Sequence, residues 1–243
     1  MGVNFDTTNW SLIVRAHATA TGVRRAALSE LCEAYWYPLY SFARMRGASH
    51  EDAADLTQAF FVHLIEKHAL RGVAADHGRF RSFMLASFKH FQSEDRRRQH
   101  AQKRGGDQIR IEWDPEVLET RYRAAATTAD DPEQAYDRQW ALTLIDRARA
   151  RLAAEYESAA RTRDYHVLLP YLSPRPRGES MAGLAGALGV GEGAARVAIH
   201  RFRRRFGSAL RAEVASTVGD ADEVETELRF LLAVLSGPGR PAQ

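Results

Sequence analysis

The chain has almost no cysteine: Cys32 is the only one in 243 residues. No intrachain disulfide can form, and a zinc site built mainly on thiolates is excluded. A reducing, cytoplasmic compartment is expected. Long hydrophobic runs are also missing. None approaches the roughly 18 residues of a membrane span, and the N-terminal MGVNFDTTNW lacks the basic-then-apolar profile of a signal peptide. Neither secretion nor membrane insertion is expected. Strand signals are nearly absent; the exception, residues 108–113 (QIRIEW), reads as extended linker.

The signatures of enzymes are scarce too. There is no Walker-type loop, no G-x-S-x-G elbow and no suggested Cys–His pairing. Gly189, Gly191 and Gly193 make a G-x-G-x-G with no strand before it, so it does not read as a phosphate cradle. His63, Glu66 and His68 lie close in sequence. However, the histidines are five positions apart, about 140° around a helix, so they diverge. No catalytic residue, metal or cofactor is expected.

What the chain does have is charge in blocks. The total, 34 Lys+Arg against 31 Asp+Glu, gives only +3. Resolved along the sequence, residues 79–104 carry +6, residues 112–137 carry −6, residues 196–211 carry +6 and residues 213–231 carry −5. Basic blocks of this density with interleaved aromatics are the electrostatic footprint of phosphate-backbone partners. The near-neutral sum hides them.

Apolar periodicity predicts helices throughout. Thr7 or Thr8 caps a short opening helix with Trp10, Ile13 and Val14. A second segment covers 24–46, with Leu28, Leu31, Tyr35, Leu39 and Phe42 on one stripe. Pro38 marks a kink or fresh start in it, and Gly47 stops it. Further helices are expected at about 50–68, 79–98, 133–156 and 165–172, two around Gly189, and an acidic amphipathic one at about 220–235. Phe80, Met84, Phe88 and Phe91 read as core, and Phe83 lies off their stripe. Residues 105–132 form an acidic linker with a helical turn around 115–124, and the last eight residues a disordered end. The expected fold is all-α: two helical domains, 1–104 and 133–212, joined by that linker and followed by an acidic extension, 213–243.

Residues 180–206 have helix-turn-helix spacing. Leu184 and Leu188 face inward, small Ala185 permits close approach, and Gly189 supplies the turn. Ala195, Ile199, Phe202 and Phe206 repeat as a buried stripe. Glu192, Arg196, His200, Arg201, Arg203 and Arg204 are the candidates for reading a major groove or holding phosphates.

Together the two units resemble a bacterial sigma factor of the extracytoplasmic-function (ECF) group. The resemblance rests on Ser49-His-Glu-Asp-Ala-Ala-Asp-Leu-Thr-Gln-Ala-Phe-Phe61, on Gly78-Arg-Phe-Arg-Ser-Phe-Met-Leu, on the basic segment to Arg104 and on the helix-turn-helix, in the family's order over residues 24–104 and 133–212. It implies a protein that binds core RNA polymerase, recognises and helps open a −10 element through its first domain, and reads a −35 element through its second. Docking on the clamp helices of the largest polymerase subunit would fall to Asp52, Asp55 and Gln58, with Phe61 at the rim. Promoter −10 DNA would fall to Arg79, Arg81, Lys89, His90, Arg96, Arg97 and Arg98. The loop 68–78 would contribute to base selection.

The chain departs from the family pattern at Ala54 and Ala59, where relatives commonly carry acids. Either apolar contacts compensate, or phosphorylation of Thr57 restores about −1.5 to −2 charges. The means of inhibition stays open among an anti-sigma factor, a Ser/Thr kinase and the tail. For the tail helix there are again two readings. Leu228, Leu231, Leu232 and Leu235 pack it on the second domain, or Asp220, Asp222, Glu223, Glu225 and Glu227 shield the recognition helix. A repressor or activator acting without polymerase is the competing function. An RNA-binding module is disfavoured, because no RRM, KH or similar signature is present.

Overall fold

The computed structural model describes residues 21–66, 79–99, 119, 120, 122, 131–173 and 180–236. Among them all regular structure is helical and there is no strand, as the periodicity requires. The opening helix at Trp10, the 68–78 loop and the 108–113 stretch lie outside the described residues. The helices are α1 (Thr21–Met45), α2 (His50–Glu66), α3 (Phe80–Gln99), α4 (Pro132–Ser158), α5 (Thr162–Leu168), α6 (Met181–Leu188), α7 (Glu192–Ala215) and α8 (Val224–Ser236). Short 3-10 turns cover Leu169–Leu172 and Ala221–Glu223.

Two compact units emerge. One comprises Met1–Thr143 with Ala215–Gln243, the other Leu144–Val214. The division falls inside α4 and at the end of α7, not in the 105–132 stretch.

In the first unit α1 is the central element. Pro38 does not interrupt it: the helix is continuous from Thr21 to Met45. An interior proline removes one backbone hydrogen bond and costs about 3 kcal/mol. Here Tyr35, Trp36, Tyr37, Leu39, Tyr40 and Phe42 are all buried around it, each large side chain returning on the order of 1.5–3 kcal/mol. Tertiary packing therefore overrides the local penalty. Phe42 and Phe60 both meet Phe88 of α3 edge-on, at 6.1 Å and 5.2 Å between ring centroids.

Gly47, at φ 87°, ends α1. Ser49 then opens α2: its Oγ accepts from the Asp52 backbone N–H (3.0 Å) and donates to the Asp52 carboxylate (2.7 Å). This reciprocal cap fixes the first turn. Helix α3 buries Phe80, Met84, Leu85, Phe88 and Phe91, and Phe83 stands half-buried beside Phe80 at 5.9 Å. The Phe80 N–H donates to the carbonyl of Thr217 (3.1 Å), so a C-terminal segment completes the start of α3.

The second unit packs Leu152, Tyr156, Tyr165, Leu168, Tyr171, Leu184, Ala185, Ala195 and Phe202 into one core. Phe202 is its hub, with the rings of Tyr156 and Tyr165 at 5.5 Å and 5.9 Å.

Candidate nucleic-acid interface

Helices α6 and α7 are set by two local devices. Ser180 caps α6, its Oγ accepting from the Gly183 N–H at 3.1 Å. Gly189 ends α6 at φ 68°, ψ 32°, with its N–H on the Gly186 carbonyl (3.2 Å) and the Val190 N–H on the Ala185 carbonyl (3.0 Å). This doubly bonded reversal needs a left-handed residue. A Cβ at 189 would meet nothing within 4 Å, so glycine is required for its backbone angle and not for space.

Helix α7 buries Ala195, Phe202 and Ala209, with Ile199 and Phe206 partly buried against the core. At about 100° per residue, Gly193, Arg196, Val197, His200 and Arg204 then fall on the outward face. Arg196, His200, Arg201 and Arg204 are all exposed. Arg196 lies 3.5 Å from Glu192 in an exposed i, i+4 pair.

Arg203 differs from its neighbours. Its Nε donates to the Tyr171 carbonyl (2.7 Å) and a second guanidinium nitrogen to the Ser173 carbonyl (3.1 Å), closing the end of the 169–172 turn. Its exposed edge can still meet a ligand, but its position is fixed by the fold.

Sequence reasoning followed the cations and missed Val197. It is 47% exposed, between Arg196 and His200 on the outward face, where an apolar side chain meets a thymine methyl in a major groove. The signal was available: Val197 is four residues from Gly193 and off the buried stripe. Val190, in the turn, is 42% exposed as well.

The cations assigned to the first unit have a different fate. Arg81 is buried, its Nε on Glu227 of α8 (2.6 Å) and its terminal nitrogen on Asp137 of α4 (2.7 Å). It lies over the Phe230 ring at 3.8 Å and the Trp140 ring at 5.2 Å, and the Tyr136 hydroxyl donates to its carbonyl (2.8 Å). The expectation that Arg81 meets DNA is therefore corrected: its guanidinium is buried and held between two carboxylates, out of reach of a phosphate. Burial pushes the Asp137 carboxyl above its usual range, although Arg81 pulls the other way.

Arg79 pairs with the second oxygen of Glu227 (2.8 Å) and is partly exposed. Lys89 pairs with Glu133 and lies 5.7 Å from the centroid of the Phe42 ring. His90 is exposed, 3.9 Å from Glu94. The side chains of Arg96, Arg97 and Arg98 lie outside the described residues.

On α2, Asp52 and Asp55 are exposed and Gln58 is half-buried. Asp52 doubles as the capping partner of Ser49. Two expectations fail here. Phe61 is wholly buried and sits 5.6 Å from Phe60, so it is core and not rim. Thr57 is wholly buried, its hydroxyl donating to the Ala53 carbonyl (2.7 Å). A kinase cannot reach that hydroxyl while α2 is packed.

Part of the acidic 105–132 stretch is docked. Glu119 receives hydrogen bonds from Tyr40 (3.1 Å) and Arg44 (3.0 Å), and Tyr122 lies under Arg44 at 4.8 Å. Burial first, then Glu119, raises the Tyr40 hydroxyl well above its ordinary pKa. Burial likewise pushes the Cys32 thiol up to about 12, so it is an inert core thiol.

Among the described residues no group of three or more His, Cys, Asp or Glu converges on a point where a metal would sit. No described helix is long and apolar enough to cross a membrane. Comparison with protein-family models, curated proteins and solved structures finds no match to this chain.

Proposed function

We propose that the chain is a sigma factor of the ECF type, which directs core RNA polymerase to promoters and has no catalytic residues of its own. The observation that carries this reading is the outward face of α7. Arg196, Val197, His200 and Arg204 stand exposed opposite the buried stripe, on a helix fixed by the Ser180 cap and the Gly189 turn. This is a helix-turn-helix whose second helix suits a major groove, and arginine there reads guanine edges or holds phosphates. Two further features support the docking and melting roles. Helix α2 carries exposed Asp52 and Asp55 for basic clamp helices, and α3 carries exposed His90 near its basic end. The polymerase supplies the chemistry; this chain supplies address and strand opening.

The decisive experiment is transcription in vitro with core polymerase and genomic promoter fragments, mapping 5′ ends. Defined start sites that depend on the chain, and that disappear with Arg196→Ala, are the expected result. Binding to a duplex without any initiation would make the protein a repressor or activator instead.

A further inference from the structure

On one flank of α7, side chains from α4 and α7 line a solvent-open recess of about 220 Å³. Arg151 of α4 and Arg204 and Arg205 of α7 line it, with Ser208, Ala209 and a single carboxylate, Glu155. Three other acids of this unit are paired with cations. Glu213 takes Arg147 at 2.9 Å and reaches Arg151 at 3.8 Å. Glu192 faces Arg196, and Asp164 holds Arg161 at 2.8 Å. Arg205 is oriented by the Tyr156 ring, 5.6 Å below its guanidinium. Arg204 has no ion-pair partner among the described residues.

Three guanidiniums share the recess with one carboxylate, so a net positive charge remains that an entering anion would offset. The volume lies below the roughly 300 Å³ at which organic-ligand pockets begin, which favours a compact oxyanion. Planar guanidinium forks match phosphate oxygens bidentately. Glu155 brings the lining close to two net positive charges, the complement of a phosphate monoester at neutral pH.

The geometry points to a phosphate-binding site formed by Arg151, Arg204 and Arg205, with Ser208 at its edge. The phosphate is carried either by a small free ligand or by a nucleic-acid backbone. The site goes beyond the promoter reading, because a free phosphate needs neither DNA nor polymerase.

The test uses the full chain and sodium pyrophosphate in isothermal titration at constant ionic strength, with duplex binding measured in parallel across salt. If the site takes free ligand, pyrophosphate binds saturably at one site. Arg151→Gln and Arg205→Gln each weaken it about tenfold, the size of a lost charged hydrogen bond, while Arg163→Gln, exposed on α5 away from the recess, does not. If the site serves a backbone phosphate, Arg151→Gln lowers the salt slope of duplex binding by about one, and pyrophosphate competes with the duplex. The inference is overturned if Arg151→Gln and Arg205→Gln leave both measurements unchanged, or if all three variants lose affinity alike. A chain that binds pyrophosphate but no duplex keeps the site and removes the promoter reading. Melting curves confirm that each variant is folded.

Discussion

The two basic blocks carry the same formal charge, +6 over residues 79–104 and +6 over residues 196–211, yet their cations end in opposite environments. In the first, Arg79, Arg81 and Lys89 are met by Glu227, Asp137 and Glu133, residues that belong to or adjoin the two acidic blocks. In the second, Arg196, His200, Arg201 and Arg204 face solvent. A segment's charge is therefore not its surface charge. The first block holds helices together with part of its charge, and the second displays most of its own.

The strongest way to break this contrast is to make one substitution in both blocks. Arg81→Met leaves Asp137 without its cation and Glu227, itself fully buried, with only the partly exposed Arg79. Breaking a buried pair by removing one partner costs about 3–5 kcal/mol, so the urea midpoint should fall sharply. Arg204→Met removes an exposed cation with no ion pair among the described residues, and its midpoint should not move measurably. Equal effects at the two positions would end the comparison. Restoring neutrality with Arg81→Met and Glu227→Gln together should recover part of the loss, because the stranded charge is what costs most. Both tail readings meet the same network. Glu227, engaged by Arg79 and Arg81, is not available to shield α7, and α8 belongs to the first unit. Deleting the first unit's C-terminal segment, residues 216–243, should accordingly destabilise that unit.

A smaller effect tests what holds the second block in place. Gly189→Ala forces an L side chain to φ 68°, which costs about 1–2 kcal/mol without any steric clash. The second unit should lose that much stability, while Gly191→Ala, also open to space but without a positive φ, should not. A duplex-binding defect that follows the stability loss would tie the exposed face to the turn that sets it.

Much of this was legible in sequence, for reasons that differ by element. Ser180, Gly189 and the stripe through Ala195 and Phe202 are local signals within one helical hairpin, and the structure follows them. The helices themselves came from periodicity, which is also local. Arg81 was not legible: its partners lie 56 and 146 residues away, and nothing near it in sequence announces burial. Pro38 misled because a local rule was outweighed by the packing of Tyr35 to Phe42. Phe61 and Thr57 were placed by analogy with a docking face. On a helix they turn toward Phe60 and Ala53, and the buried stripe is wider than a single row of large apolar residues suggested.

The smallest predicted effect concerns the first block's surface. Lys89 and Glu133 are an exposed pair, and such pairs are worth about 0–1 kcal/mol, so Glu133→Gln should hardly change stability. Its consequence is electrostatic. Removing the carboxylate returns a positive charge to the face that includes exposed His90. If that face receives nucleic acid, single-stranded DNA should bind more tightly at low salt, and the gain should shrink as salt screens the freed charge. Fluorescence anisotropy with a labelled oligonucleotide at several salt concentrations reads this directly. Lys89→Gln in the same assay supplies the opposite sign, and the double variant should resemble Lys89→Gln alone. If Glu133→Gln changes nothing while Lys89→Gln weakens binding, Glu133 does not restrain Lys89. The first block would then differ from the second only through its buried Arg81 and the partly buried Arg79 network, and no longer through its surface.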